Sequence, residues 1–177
     1  MNNTGFTLLE LLMVALIMSI LVSVAVPQYM KSAERARATE ALTNIRAINA
    51  AVQAYALGHS GDADTCPASF KKISVSIPGT YNANHTILTT KNFEYRLNGV
   101  TLDSERGCYD VAGTDCAGVT AKRLGGTKYD YILWNKDHRC GTTQDGIGSF
   151  CYSATGSCEV LESMPNIYKV DLAPYSE

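Results

Sequence analysis

A single apolar run constrains this chain more than any other feature. From residue 6 to residue 26 the sequence is almost wholly hydrophobic, interrupted only by Thr7, Glu10, Ser19 and Ser23. As a helix, a run of this length spans roughly 30 Å, the thickness of one bilayer core. Glu10 is its only charged residue. A carboxylate inside such a run is costly and points to a function that requires a partner for it.

The pattern changes after Pro27. Ala38, Ala41, Leu42, Ile45, Ile48, Val52 and Tyr55 recur at steps of three and four and mark one helical face. Lys31, Glu34, Arg35, Arg37, Glu40 and Arg46 fall mostly elsewhere, on a solvated face whose charges could also pair between subunits of a fibre. Gly58 supplies a stop. A helix over residues 6–57 would be roughly 78 Å long at 1.5 Å per residue. Pro27 either kinks this helix, because the Ser23 carbonyl loses its usual donor, or ends the membrane segment.

The remainder reads as a mixed segment rich in strands. Residues 58–85 are punctuated by Gly and Pro, with a short alternation at Ile73, Val75 and Ile77. Strands are expected at 86–90, 93–97, 129–134, 150–152 and 167–172. Asn98-Gly99 signals a hairpin after the second. Residues 104–126 and 135–149, rich in Gly and polar residues, are expected as stapled loops. The fold class is therefore α+β, a long N-terminal helix packed through its amphipathic half on an antiparallel sheet.

Six cysteines, Cys66, Cys108, Cys116, Cys140, Cys151 and Cys158, all follow the apolar run. An even number placed beyond a membrane segment suggests disulfides in an oxidising compartment. Their connectivity is open; Cys108–Cys116, Cys151–Cys158 and Cys66–Cys140 is the preferred guess. No Cys-x-x-Cys pair occurs, so structural zinc is not expected. Asp62-Ala63-Asp64 lacks the further ligands of a calcium loop, and no metal or cofactor is expected. The net charge of −2 gives no general attraction for nucleic acid. Lys136-Asp137-His138-Arg139 is better read as a solvated loop than as a DNA contact. His59, His85 and His138 lie isolated in turn-like sequence, and Tyr129, Tyr131 and Trp134 read as sheet packing. No catalytic motif is present, and no enzyme is expected.

Gly5-Phe6-Thr7-Leu8-Leu9-Glu10, followed by the apolar run to Pro27-Gln28-Tyr29, resembles the type IV prepilin signature shared by type IV pilins and the pseudopilins of type II secretion. The resemblance is close over residues 1–57 and holds only in outline beyond. It implies a leader at 1–5, a transmembrane and filament-core helix at 6–27, an amphipathic helix at 28–57, and a head domain at 58–177 with a pilin-like roll. It also implies cleavage after Gly5 by a prepilin peptidase, N-methylation of Phe6, and a salt bridge from Glu10 to the Phe6 amine of a neighbouring subunit. Pro27 is tolerated within a continuous helix in that family. Two features depart from the pattern: Met1-Asn2-Asn3-Thr4 carries no basic side chain, and Ser19 stands where Gly, which helps the helix loosen during assembly, is frequent.

The expected partners are identical or homologous pilin subunits, the peptidase, the inner membrane and the assembly machinery. The subunit would wait in the inner membrane with its C-terminal part in the periplasm, then enter a cell-surface or periplasmic filament. Lys31, Arg35 and Arg37 oppose that orientation under the positive-inside rule; the cysteines and the signature outweigh them. The alternatives are a type II secretion pseudopilin and, from a different class, a signal-anchored periplasmic binding domain.

Overall fold

The computed structural model describes residues 6–59, 67, 69–97, 100–103, 107–110, 119–125, 129–136 and 148–169. One helix, α1 (Leu8–Gly58), runs unbroken through Pro27 and ends at the expected glycine. Pro27 therefore does not end the helix. Residues 6–32 are exposed along their whole length. The helix contains a stretch long and apolar enough to cross a membrane, and none of that stretch is buried against the rest of the chain.

From residue 34 onward α1 is docked. Ala38, Ala41, Leu42, Ile45, Ile48 and Val52 are buried, and Tyr55 packs beside them, so the apolar stripe read from the spacing is the docked face. Burying each large aliphatic side chain of this stripe contributes about 1.5–3 kcal/mol. The face lies against a seven-stranded sheet in the order β1 (Thr80–Tyr81), β2 (Ile87–Thr89), β3 (Phe93–Leu97), β6 (Val119–Arg123), β7 (Ile132–Lys136), β8 (Gly148–Tyr152) and β9 (Ile167–Lys169). A separate antiparallel hairpin joins β4 (Val100–Asp103) and β5 (Gly107–Asp110). Leu88, Phe93, Tyr95, Val119, Ala121, Leu133 and Cys151 form the sheet side of the core.

The α+β architecture, a long helix on a largely antiparallel sheet, is as expected, and it differs from expectation in detail. The sheet is not wholly antiparallel: β9 runs parallel to β8, because the chain between them crosses over through a 3-10 turn at Ser157–Leu161 instead of a tight turn. Asn98-Gly99, the expected hairpin turn, lies outside the described residues. β3 pairs with β2 and β6, while β4 pairs with β5 in its own sheet. Residues 104–126 are not simply a loop, since they contain β5 and the central strand β6. Phe70–Lys72 is a 3-10 turn, after which Ile73 is buried and Val75 and Ile77 pack on the core, as their alternation suggests. Gly79 admits a close approach just before β1. A Cβ there would lie 2.6 Å from the Thr89 carbonyl oxygen.

Candidate assembly site and the joint between rod and head

The free end of α1 is closed by a reciprocal pair. The Thr7 backbone N–H and the Thr7 hydroxyl each donate to Glu10 Oε2 at 2.8 Å, and the Glu10 N–H donates back to Thr7 Oγ1 at 3.3 Å. This is a capping box: Thr7 occupies the N-cap, and Glu10 satisfies donors that the first turn leaves open. Its Thr-x-x-Glu spacing is readable in the sequence. Phe6 is 83% exposed and Glu10 is exposed beside it; Gly5 lies outside the described residues. Further along, Ser19 and Ser23 return their hydroxyls to the carbonyls of Leu16 and Ile20 at 2.8 and 2.7 Å. Both polar groups are thereby satisfied within the helix, as an apolar solvent demands.

Where α1 meets the sheet, the structure places a buried carboxylate. Glu34 is fully buried, which corrects its assignment to a solvated face. Arg123, at the end of β6, donates through Nε to Glu34 Oε1 at 2.5 Å and through Nη2 to Oε2 at 3.2 Å. The Tyr131 hydroxyl donates to Oε1 at 2.8 Å, and Arg37 Nη1 donates to Oε2 at 2.8 Å. Arg123 also donates to the carbonyls of Asn92 and Leu124, and its guanidinium stands 5.5 Å from the centre of the Phe93 ring. Arg35 reaches the other way, from Nε to the Val160 carbonyl at 2.9 Å. Glu34, Arg35 and Arg37, all in one helical turn, are thus engaged within the subunit.

The electrostatics follow from this geometry. Burial alone would push the Glu34 carboxyl up, but hydrogen bonds from Arg123, Arg37 and Tyr131 outweigh it and hold the group below the usual glutamate range. Burial and the bond to Glu34 push the Tyr131 phenol well above its ordinary value. The hydrogen bond to Glu34 raises Arg123 further. A second tie runs from Asn44 Nδ2 to the Tyr95 hydroxyl at 2.9 Å.

The remaining expected residues divide clearly. Cys151 and Cys158 are disulfide-bonded, with Cα atoms 6.0 Å apart, as guessed. Within the loop they close, Ser153, Thr155 and Ser157 share hydroxyl hydrogen bonds. Cys66, Cys116 and Cys140, the Cys108 side chain, Asp62-Ala63-Asp64 and His138 lie outside the described residues. His59 stacks on Tyr55 and His85 on Tyr81. Tyr131 and Trp134 are both buried but in different clusters: Tyr131 in the core against α1, Trp134 against Phe150 at 5.8 Å. Tyr129, Tyr131 and Trp134 therefore do not compose one binding surface. Among the described residues no cluster of metal-binding side chains occurs.

A free apolar rod, capped at its end and locked to a sheet by its other half, gives a rod-and-head form that fits membrane anchoring. The comparisons with known proteins agree. Residues 1–26 match the prokaryotic N-terminal methylation motif. The chain is 40% identical over 54 residues to the type IV major pilin protein PilA of Myxococcus xanthus, covering 30% of this chain and 24% of that protein. It is 43% identical over 56 residues to the type II secretion system core protein G of Pseudomonas aeruginosa, covering 32% of this chain and 39% of that one. To the type IV major pilin protein PilE1 of Neisseria gonorrhoeae it is 35% identical over 83 residues, covering 47% of this chain and 39% of the relative. The chain therefore spans well under half the length of each of these relatives. No solved structure matches it. Over part of its length the chain is thus similar to type IV pilins and to a type II secretion core protein.

Proposed function

We propose that this protein is a structural subunit of a type IV pilus-like filament, held in the inner membrane by α1 and assembled through the free half of that helix. The observation that carries the reading is the exposed apolar rod with Glu10 as its one charge, continuous with a docked half. Hydrocarbon accepts the rod before assembly, and a bundle of identical rods accepts it afterwards. In this reading a prepilin peptidase removes residues 1–5, and Phe6 begins the mature chain with a methylated amine. Glu10 then pairs with the Phe6 amine of a neighbour, which sets register between subunits. Opposite charges attract strongly at low dielectric, while desolvation offsets much of the gain, so the pair contributes alignment more than raw stability. The globular head, with its Cys151–Cys158 loop, would face outward from the periplasmic side.

Intact-mass measurement of the mature protein tests the processing step. Loss of residues 1–5 with one added methyl group supports it; a chain that begins at Met1, or is cut after residue 20, sinks it and favours a signal-anchored binding domain. A second reading, a type II secretion pseudopilin, draws on the similarity to core protein G. The protein composition of sheared surface filaments separates the two. Abundance there supports a pilus subunit, and absence with intact processing supports the pseudopilin.

A further inference from the structure

The contact between α1 and the sheet is graded along the helix. Near residue 34, where the rod enters the head, the buried apolar side chains are the small Ala38 and Ala41. Farther along come Leu42, Ile45, Ile48 and Val52, whose larger side chains bury more apolar area each. Apolar grip is thus weakest at the entry point. The entry point is also where the only fully buried carboxylate among the described residues sits, held by Arg123 from β6, Tyr131 from β7 and Arg37 from its own helix.

We propose that the Glu34–Arg123–Tyr131 cluster is a peel-stop, a joint that holds the entry end of α1 to the sheet and without which that end opens while the far end stays docked. An adhesive interface pulled at one edge fails from that edge, and the two alanines supply little to resist it. The cluster supplies directional, charge-assisted bonds at that edge instead. Arg123 spreads the attachment, because its bonds to the Asn92 and Leu124 carbonyls tie the joint to the chain on both sides of the β3–β6 pair. Arg35 adds a further tie, to the Val160 carbonyl. That load enters through the rod rests on the filament reading above; the joint itself does not.

The test uses the full chain in detergent micelles, where no filament is needed, so its failure is separate from any failure of the filament reading. Single cysteines are placed at Ala38→Cys near the entry and Val52→Cys at the far end, and maleimide labelling under native conditions is timed against the parent chain as a blank. Glu34→Gln is expected to speed labelling at position 38 by about tenfold or more, the scale of losing hydrogen bonds to a charged group, and to leave position 52 unchanged. Tyr131→Phe, a milder change, should give a smaller increase at position 38 only. Leu133→Ala, which opens a cavity in the shared core, should speed both positions together. Equal acceleration at both positions in Tyr131→Phe as well as Glu34→Gln, or none at position 38, would overturn the proposal.

Discussion

Arg123 and Glu34, 89 residues apart in sequence, face each other across the helix–sheet boundary with both carboxylate oxygens engaged by one guanidinium. Their side chains are 7% and 0% exposed. Charges so deeply buried are tolerable only as a pair, and removing one member strands the other. Arg123→Ala is expected to cost about 3–5 kcal/mol of unfolding free energy. Chemical denaturation of the full chain in micelles measures this, and a loss below 1 kcal/mol, the scale of an exposed pair, would contradict the burial.

The same pair sets a pH dependence. The Glu34 carboxyl is held below its unfolded value, so the folded state binds fewer protons in that range. Its stabilisation is full above the ordinary glutamate pKa of about 4.3 and is lost as the pH falls through the lower folded value. Wild-type stability should therefore decline steeply on the acid side. Glu34→Gln should flatten that limb, and thermal melts from neutral pH down to acid compare the two directly. Parallel acid limbs would show that Glu34 does not carry the effect.

These two residues also explain what was legible in the sequence. The docked face of α1 was read correctly from Ala38 to Tyr55, because apolar residues repeating every three or four positions have one physical explanation. Phe93–Leu97 was equally plain, with Phe93, Tyr95 and Leu97 buried and Glu94 and Arg96 turned out. Glu34 lies on that same docked face yet was assigned to solvent, since a carboxylate alone argues for exposure. β6 was missed for the matching reason. Its inward positions are Val119, Ala121 and Arg123, and an inward arginine between glycine-rich flanks breaks the alternation that marks a strand. Each charge hides the other, and only the fold brings them together. The capping box of Thr7 and Glu10 was legible and was overlooked.

The Cys151–Cys158 bridge ties β8 to the start of the Ser157–Leu161 turn, and both cysteines are buried in the core. Replacing both by Ser should cost about 2–5 kcal/mol, the usual range for a native disulfide. Peptide mapping of unreduced protein should recover residues 151 and 158 in one linked fragment. Recovery of both as free thiols in protein taken from the periplasm would contradict the bridge and weaken the case for an oxidising compartment.

Processing should depend on the size of residue 5. If the small side chain of Gly5 is what the peptidase accepts, Gly5→Leu should leave the protein in the membrane at full length, with no methyl group. Intact mass decides, and normal maturation of that variant would remove Gly5 from the proposed cleavage site.

The central claim rests on Glu10. Thr7 can hydrogen-bond this carboxylate but cannot neutralise it, and the next charged side chain along the helix is Lys31. If its role is to pair with a neighbour's amine, Glu10→Ala should insert and mature normally but fail to assemble. If it merely reaches the lipid headgroups, the same variant should assemble as well as the parent. The deciding measurement counts surface filaments by electron microscopy in cells where Glu10→Ala is the sole copy, with membrane levels of the subunit matched to wild type. The account predicts few or no filaments, and wild-type numbers would contradict it.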